Sequence, residues 1–157
     1  MLALYCADSK YGEDWLPDMQ DMLERTPVVY FWRHQLPDGS METVEKLREQ
    51  INQVGFIPIY LKVKENYYLL IAIDFVLDAT IEGIPDEWAK KYVLAYPLSL
   101  ALKRHINKNR EFLEKWSQHK WKGRKPRILF AVSSIQQINP PVGVNWALNT
   151  RCAVKQI

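Results

Sequence analysis

The chain is poor in the residue types that most small catalytic and metal sites require. It has two cysteines, three histidines and six glycines in 157 residues. The glycines are spread singly, so neither GxGxxG nor GxxxxGK[ST] occurs, which excludes the common phosphate-binding loops. The histidines show no HxH or HExxH spacing, and no serine lies in a GxSxG turn. We therefore predict no metal and no cofactor, and catalysis has no signature here.

The two cysteines lie near opposite ends of the chain, at Cys6 and Cys152. Neither has a second cysteine at the spacing of a redox motif or a zinc cluster. Reduced thiols are the simplest account of this pattern, since disulfides are rare in the cytosol. We therefore expect free thiols and a cytoplasmic location.

Long apolar runs are absent as well. The longest, Leu69 to Ile73, is far too short to cross a bilayer, which takes about 20 residues. The apolar start, Met1 to Tyr5, has no basic leader and runs into Asp8, so it lacks the form of a signal peptide. We expect no membrane contact, and a length of 157 residues suits a single domain over residues 1–157.

Periodicity along the chain predicts more strands than helices. Phe56 to Lys64 alternates between two faces, with Tyr60 and Lys62 on the same one. A tight turn at Glu65–Asn66 leads into Tyr67 to Leu77, so the two segments predict an antiparallel hairpin. Pro58 places its strand at an edge or a bulge. The other predicted strands are Leu2 to Cys6, Val28 to His34, Arg127 to Ile138 and Arg151 to Ile157.

Helical spacing of apolar residues predicts a first helix over Glu13 to Arg25, ended by Thr26-Pro27. A second helix runs from Met41 to about Gln53, with Ser40 as its N-cap and Gly55 at its C-terminal cap. Two further helical pieces are predicted between Ile84 and Trp116. These elements predict an α+β domain with a small, mostly antiparallel curved sheet or barrel and flanking helices.

Positive charge is concentrated in residues 103–127, which we call the basic segment. It carries ten Lys or Arg against two acids, a net +8, so the other residues sum to −5 within a total of +3. Clustered cations bind polyanions because neutralised phosphates release counterions, although a well-solvated helix and loop explains the same charges. Aromatics interleave with its cations, as in single-strand binders. The candidate nucleic-acid-binding residues are Lys120, Trp121, Lys122, Arg124, Lys125 and Arg127.

The strand VVYFWRH supplies a second candidate site. Alternation puts Tyr30 and Trp32 on one strand face, and Phe31 and Arg33 on the other. If Phe31 packs inward, Tyr30 and Trp32 can contact a base; if Tyr30 and Trp32 pack inward, they are ordinary core aromatics. With both alternatives open, the candidate base pocket comprises Trp15, Tyr30, Trp32 and Arg33.

A metal-dependent nuclease is an alternative, because Asp74, Asp78 and Glu82 lie on or just after an apolar strand. Phosphodiester cleavage of this type also needs a lysine, and the expected Glu-x-Lys is missing: Lys62 and Lys64 precede Asp74 and have no Glu two positions upstream. We favour the interpretation of Asp74 as a polar residue at a strand bend or a buried cap.

The order of elements resembles the PUA-like superfamily, in particular its EVE and ASCH-type members. The resemblance is carried by the Trp15-bearing helix, the aromatic strand, the hairpin FIPIYLKV with LLIAIDFVLDA, and the late strand RILFAVSSI. It implies a small barrel whose flanking helices form a cleft, and aromatic pockets that hold modified bases. We therefore expect a nucleic-acid-binding module, for DNA or RNA, without catalysis of its own.

Charge segregation also fits a different class of function. Residues 1–25 carry six acids and two bases, a net −4 opposite in sign to the basic segment. A protein-interaction subunit or a small homo-oligomer is therefore the second hypothesis.

Overall fold

The computed structural model describes residues 1–8, 12–24, 26–78, 127–144, 146 and 152–157. Within these ranges it forms a six-stranded sheet and two helices, which confirms the α+β class. The predicted helical pieces between Ile84 and Trp116 lie outside the described residues. The elements are β1 (Leu2–Ala7), α1 (Gly12–Leu23), β2 (Val29–Arg33), α2 (Met41–Val54), β3 (Ile57–Val63), β4 (Asn66–Leu77), β5 (Ile128–Ile138) and β6 (Ala153–Gln156).

The sheet has the strand order β2-β5-β4-β3-β1-β6. β1 and β3 are parallel, and the other neighbouring pairs are antiparallel. The prediction of a mostly antiparallel sheet is therefore confirmed. The barrel alternative is wrong, because the sheet is open, with β2 and β6 at its two edges.

The predicted hairpin is β3 followed by β4, paired from Val63 opposite Asn66 to Ile57 opposite Ala72. β3 lies between β4 and β1, so an edge position for Pro58 is wrong. Pro58 pairs instead with Ile71 in an unbroken register of β3 with β4, so the bulge alternative is wrong as well. The register shifts lie between β4 and β5.

The two capping residues predicted for α2, Ser40 and Gly55, cap its two ends. Ser40 Oγ accepts a hydrogen bond from the Thr43 N–H at 3.4 Å. Gly55 has φ of +93°, and its N–H donates to the Ile51 carbonyl at 3.0 Å. A left-handed residue that closes the last turn suits glycine, which has no Cβ to clash.

Apolar side chains are buried on both faces of the sheet. On the first face, α1 and α2 contribute Leu16, Met19 and Leu47 to a core that includes Ile59 and Phe130. The second face carries a smaller buried cluster: Val28, Tyr30, Ile73, Leu129 and Ala131. Alternation along β2, β4 and β5 therefore places buried side chains on both faces of the sheet.

The sheet is strongly bent around its first face. Arg33 on the edge strand β2 donates from Nη2 to the Ala7 carbonyl of β1 at 3.0 Å. Three strands separate β2 from β1, which in a flat sheet would place them roughly 19 Å apart. Register shifts in β4 between Ile71 and Asp74 supply the bend, since a bulge kinks a strand and increases its twist.

Cys6 and Cys152 form a disulfide, with their Cα atoms 4.6 Å apart. The prediction of reduced thiols is therefore wrong: a disulfide depends on proximity in space, and motif spacing along the chain carries no information about residues this distant. The bond ties Cys6, buried in β1, to the residue just before the edge strand β6.

The outer edge of β6 is covered by a short 3-10 turn, Pro37–Gly39. Asp38 donates its N–H to the Cys152 carbonyl at 3.0 Å, and its Oδ1 accepts from the Val154 N–H at 3.2 Å. These two bonds occupy backbone groups that an open edge would offer to another strand. In the described part of the chain, neither helix has the length and apolar character needed to cross a membrane.

Candidate nucleic-acid interface

Four aromatic rings meet on the second face of the sheet, and we call Tyr5, Tyr60, Tyr67 and Trp146 the aromatic cluster. Tyr5 of β1 lies opposite Tyr60 of β3, and their rings stack with centroids 5.0 Å apart and planes inclined by 12°. The Trp146 ring lies 5.7 Å from Tyr5 and 5.4 Å from Tyr67, tilted against both. The four rings are therefore continuous across three strands and the segment before β6.

Lys62 supplies a positive charge to the same face. It pairs with Tyr67 across β3 and β4, and its Nζ lies 5.9 Å from the centre of the Tyr67 ring. That distance falls within the range of a cation–π contact. None of the ion pairs formed within the described ranges uses Lys62, which leaves this ammonium available to an anion.

The members of the aromatic cluster differ in exposure. Tyr5 is buried, and its burial is the main cause that raises the pKa of its phenol. The nearby Tyr60 hydroxyl raises that pKa further. Tyr60, Tyr67 and Trp146 are half-buried, so part of each residue is open to solvent. A buried ring that supports half-buried rings beside a lysine can stack planar groups and hold a phosphate.

The four residues of the predicted base pocket do not line one common pocket. Tyr30 is 2% exposed and lies in the core of the second face. Trp15 and Arg33 point into the first face, where the Trp15 ring lies 5.7 Å from Phe31. Trp32 is half-buried and packs against both cores. The four predicted residues are thus divided between opposite faces, and Tyr30 and Trp15 are packing residues in this fold.

Arg33 is a buried cation at the bend of the sheet. Its side chain is 8% exposed, and its guanidinium lies 5.6 Å from the centre of the Phe31 ring. Burial lowers its pKa to about 10, and the charge of Asp8 partly offsets that effect. Asp8 in turn accepts a hydrogen bond from Trp15 Nε1 at 2.7 Å. These contacts hold β1, α1 and β2 together.

The predicted basic loop falls mostly outside the described residues, which do not include Lys120, Trp121, Lys122, Arg124 or Lys125. Arg127 is described: it is exposed just before β5, and its Nε lies 3.1 Å from Asp78 Oδ1. Arg127 and Asp78 therefore form a surface ion pair at the end of β4.

The predicted nuclease carboxylates are not gathered in the part of the chain that is described. Asp74 Oδ1 lies 2.6 Å from Arg48 Nη1 and also accepts the N–H of Phe75 at 2.8 Å. Asp78 pairs with Arg127, and Glu82 lies outside the described ranges. Within those ranges no three His, Cys, Asp or Glu side chains are grouped so as to hold a metal ion.

Sequence reasoning placed Tyr60 and Lys62 on one strand face, but it missed Tyr5, Tyr67 and Trp146 as parts of a site. The missed residues come from both ends of the chain and from the next strand. One signal in the sequence could have pointed to this site: Tyr5 is the only aromatic residue in the strand β1. No significant match to the chain is found among protein-family models, curated proteins or solved structures.

Proposed function

We propose that this protein is a nucleic-acid-binding module that contacts bases through the aromatic cluster and phosphates through Lys62 and the basic segment. The observation that carries the proposal is the continuity of Tyr60, Tyr67 and Trp146 with Lys62 on one sheet face. Aromatic faces bind bases of any sequence, while cations give affinity without sequence information.

The basic segment supports the same class of ligand. The segment has a net charge of +8 and ends at Arg127, the residue immediately before β5. The PUA-like resemblance points the same way, and recognition of a modified base is the finer form of the proposal. DNA and RNA are both candidate ligands.

Fluorescence anisotropy at two salt concentrations tests the proposal. Single- and double-stranded DNA and RNA are the four probes, and we expect at least one to bind with an affinity that falls steeply as salt rises. Changing Lys120, Lys122, Arg124 and Lys125 together to Ala should weaken binding and flatten the salt dependence. If none of the four probes binds at low salt, the proposed function is wrong.

A protein-interaction subunit or a small homo-oligomer is the second candidate, because α1 exposes Glu13 and Asp21 within the acidic residues 1–25. Attraction between an acidic and a basic region is screened by salt. Light scattering would then show a mass that rises with protein concentration and falls with salt, together with no oligonucleotide binding.

We keep the cytoplasm as the proposed location, with an oxidising compartment as the alternative that the Cys6–Cys152 disulfide favours. Alkylation of thiols in intact cells separates the two. Modified cysteines would support the cytoplasm, and cysteines protected until reduction would support the alternative.

A further inference from the structure

We propose that the aromatic cluster selects single-stranded over double-stranded nucleic acid. The inference rests on the proposed function and adds the class of strand. It follows from which surfaces of the cluster are exposed, how rigidly they are held, and where the nearest cation lies.

Tyr60, Tyr67 and Trp146 are half-buried, so part of each residue is open to solvent. Tyr60 lies opposite Leu69 and Tyr67 opposite Lys62, so the two tyrosines are diagonal neighbours on adjacent strands. Such neighbours lie about 7–8 Å apart, within reach of one another for aromatic side chains. The Trp146 ring bridges Tyr67 and Tyr5 and joins the two tyrosines into one surface. Successive unstacked bases can therefore lie against successive rings.

A duplex cannot use this surface in the same way. Its bases are already stacked and paired, and only their edges are accessible, through grooves that admit a helix or a two-stranded ribbon. The aromatic cluster spans β1, β3 and β4, and this broad face does not enter a groove. A duplex would therefore meet the cations alone.

The cluster is held in place before any ligand arrives. Tyr60 stacks on the buried Tyr5, which fixes one side of its ring, and Trp146 contacts two tyrosines. A surface whose side chains are already ordered loses less conformational entropy on binding. Platforms of this kind stack about two or three bases.

Lys62 places a charge at the margin of the stacking surface, 5.9 Å from the Tyr67 ring. A strand whose bases lie on Tyr60 and Tyr67 carries its phosphates beside those rings, within reach of Lys62. A neutral aromatic ligand would gain the stacking but not the ion contact.

Anisotropy titrations of one sequence as a single strand and as a duplex test the inference, with Tyr67→Leu as the variant. Tyr68→Leu is the matched control, because Tyr68 is the next residue of β4 and packs on the opposite face against the first core. Single-strand affinity should fall roughly 5- to 150-fold in Tyr67→Leu and stay unchanged in Tyr68→Leu. Duplex affinity should be the same in both variants.

Equal affinity for strand and duplex, with Tyr67→Leu and Tyr68→Leu alike, would overturn the inference and leave the proposed function standing. Loss of binding to every probe in the unaltered protein would overturn both. If circular dichroism shows that Tyr67→Leu does not fold, Lys62→Gln replaces it. Lys62→Gln should lower the salt slope of single-strand binding by about 0.7, and an unchanged slope would contradict the proposed strand path.

Discussion

At the scale of single residues, Arg48 holds the bulged part of β4 by three contacts. Its Nη1 lies 2.6 Å from Asp74 Oδ1, its Nη2 donates to the Phe75 carbonyl at 2.5 Å, and its guanidinium lies 4.0 Å from the centre of the Phe75 ring. Asp74 sits where the register of β4 shifts. The carboxylate that resembled a nuclease ligand in the sequence is thus engaged in fixing a strand bend.

We expect Arg48→Ala to lower the free energy of unfolding by about 1–2 kcal/mol, since charge-assisted hydrogen bonds are lost from a partly exposed site. Lys46→Ala is the matched control: Lys46 pairs with Glu42 one turn away at 3.6 Å on the exposed surface of α2. The control should cost less than about 0.5 kcal/mol. Urea denaturation measures both.

Equal losses in Arg48→Ala and Lys46→Ala would contradict a structural role for the Arg48–Asp74 pair. The nuclease hypothesis would gain support from Mg²⁺-dependent cleavage of an oligonucleotide. That cleavage would have to disappear in Asp74→Asn while the free energy of unfolding stays the same.

At the scale of elements, β6 is the most dependent on long-range links. It pairs with β1 over four residue pairs, and its outer edge is bonded by Asp38. The disulfide fixes Cys152, the residue before the strand, to Cys6. A strand this short has little stability of its own, so the covalent bond keeps it in the sheet.

Reduction of the Cys6–Cys152 bond should lower the free energy of unfolding by roughly 2–5 kcal/mol, because the bond closes a loop of 146 residues in the unfolded chain. Urea denaturation with and without a dithiol reductant measures the change. The Cys6→Ala, Cys152→Ala double variant is the control and should show the lower stability in both conditions. Identical stability of the unaltered protein with and without reductant would contradict this assignment.

Local signals in the sequence predicted the helices and strands of the described residues well. Alternation identified β3 and β4, and capping residues placed α2 between Ser40 and Gly55. The parallel pairing of β1 with β3 was not predictable, because no local rule says which distant strands become neighbours. The disulfide was missed for the same reason.

The candidate site was likewise predictable from the sequence only where it depends on local alternation. Alternation in FIPIYLKV predicted that Tyr60 and Lys62 share a face. The approach of Tyr5 and Trp146 depends on the strand order and on the path of the chain before β6. For Tyr30 the sequence left both the core and the pocket open. The reason is that a strand buried on both faces has the same sequence pattern as a strand exposed on one face.

At the scale of the whole molecule, the two faces of the bent sheet differ: one carries the helices, and the other carries the proposed binding surface. The helices, Arg33 and the Arg48–Asp74 pair lie on or around the first face. The second face carries buried side chains at the β2 and β5 end and the half-exposed aromatic cluster at the β1 and β3 end. One face thus fixes the shape of the surface that the other presents.

Ultraviolet crosslinking of a bound single strand, followed by mass spectrometry of the peptides, identifies the residues that lie against the bases. We expect crosslinks at Tyr60, Tyr67 or Trp146, together with contacts in the basic segment. Crosslinks confined to other parts of the protein, or no complex to crosslink, would contradict this expectation.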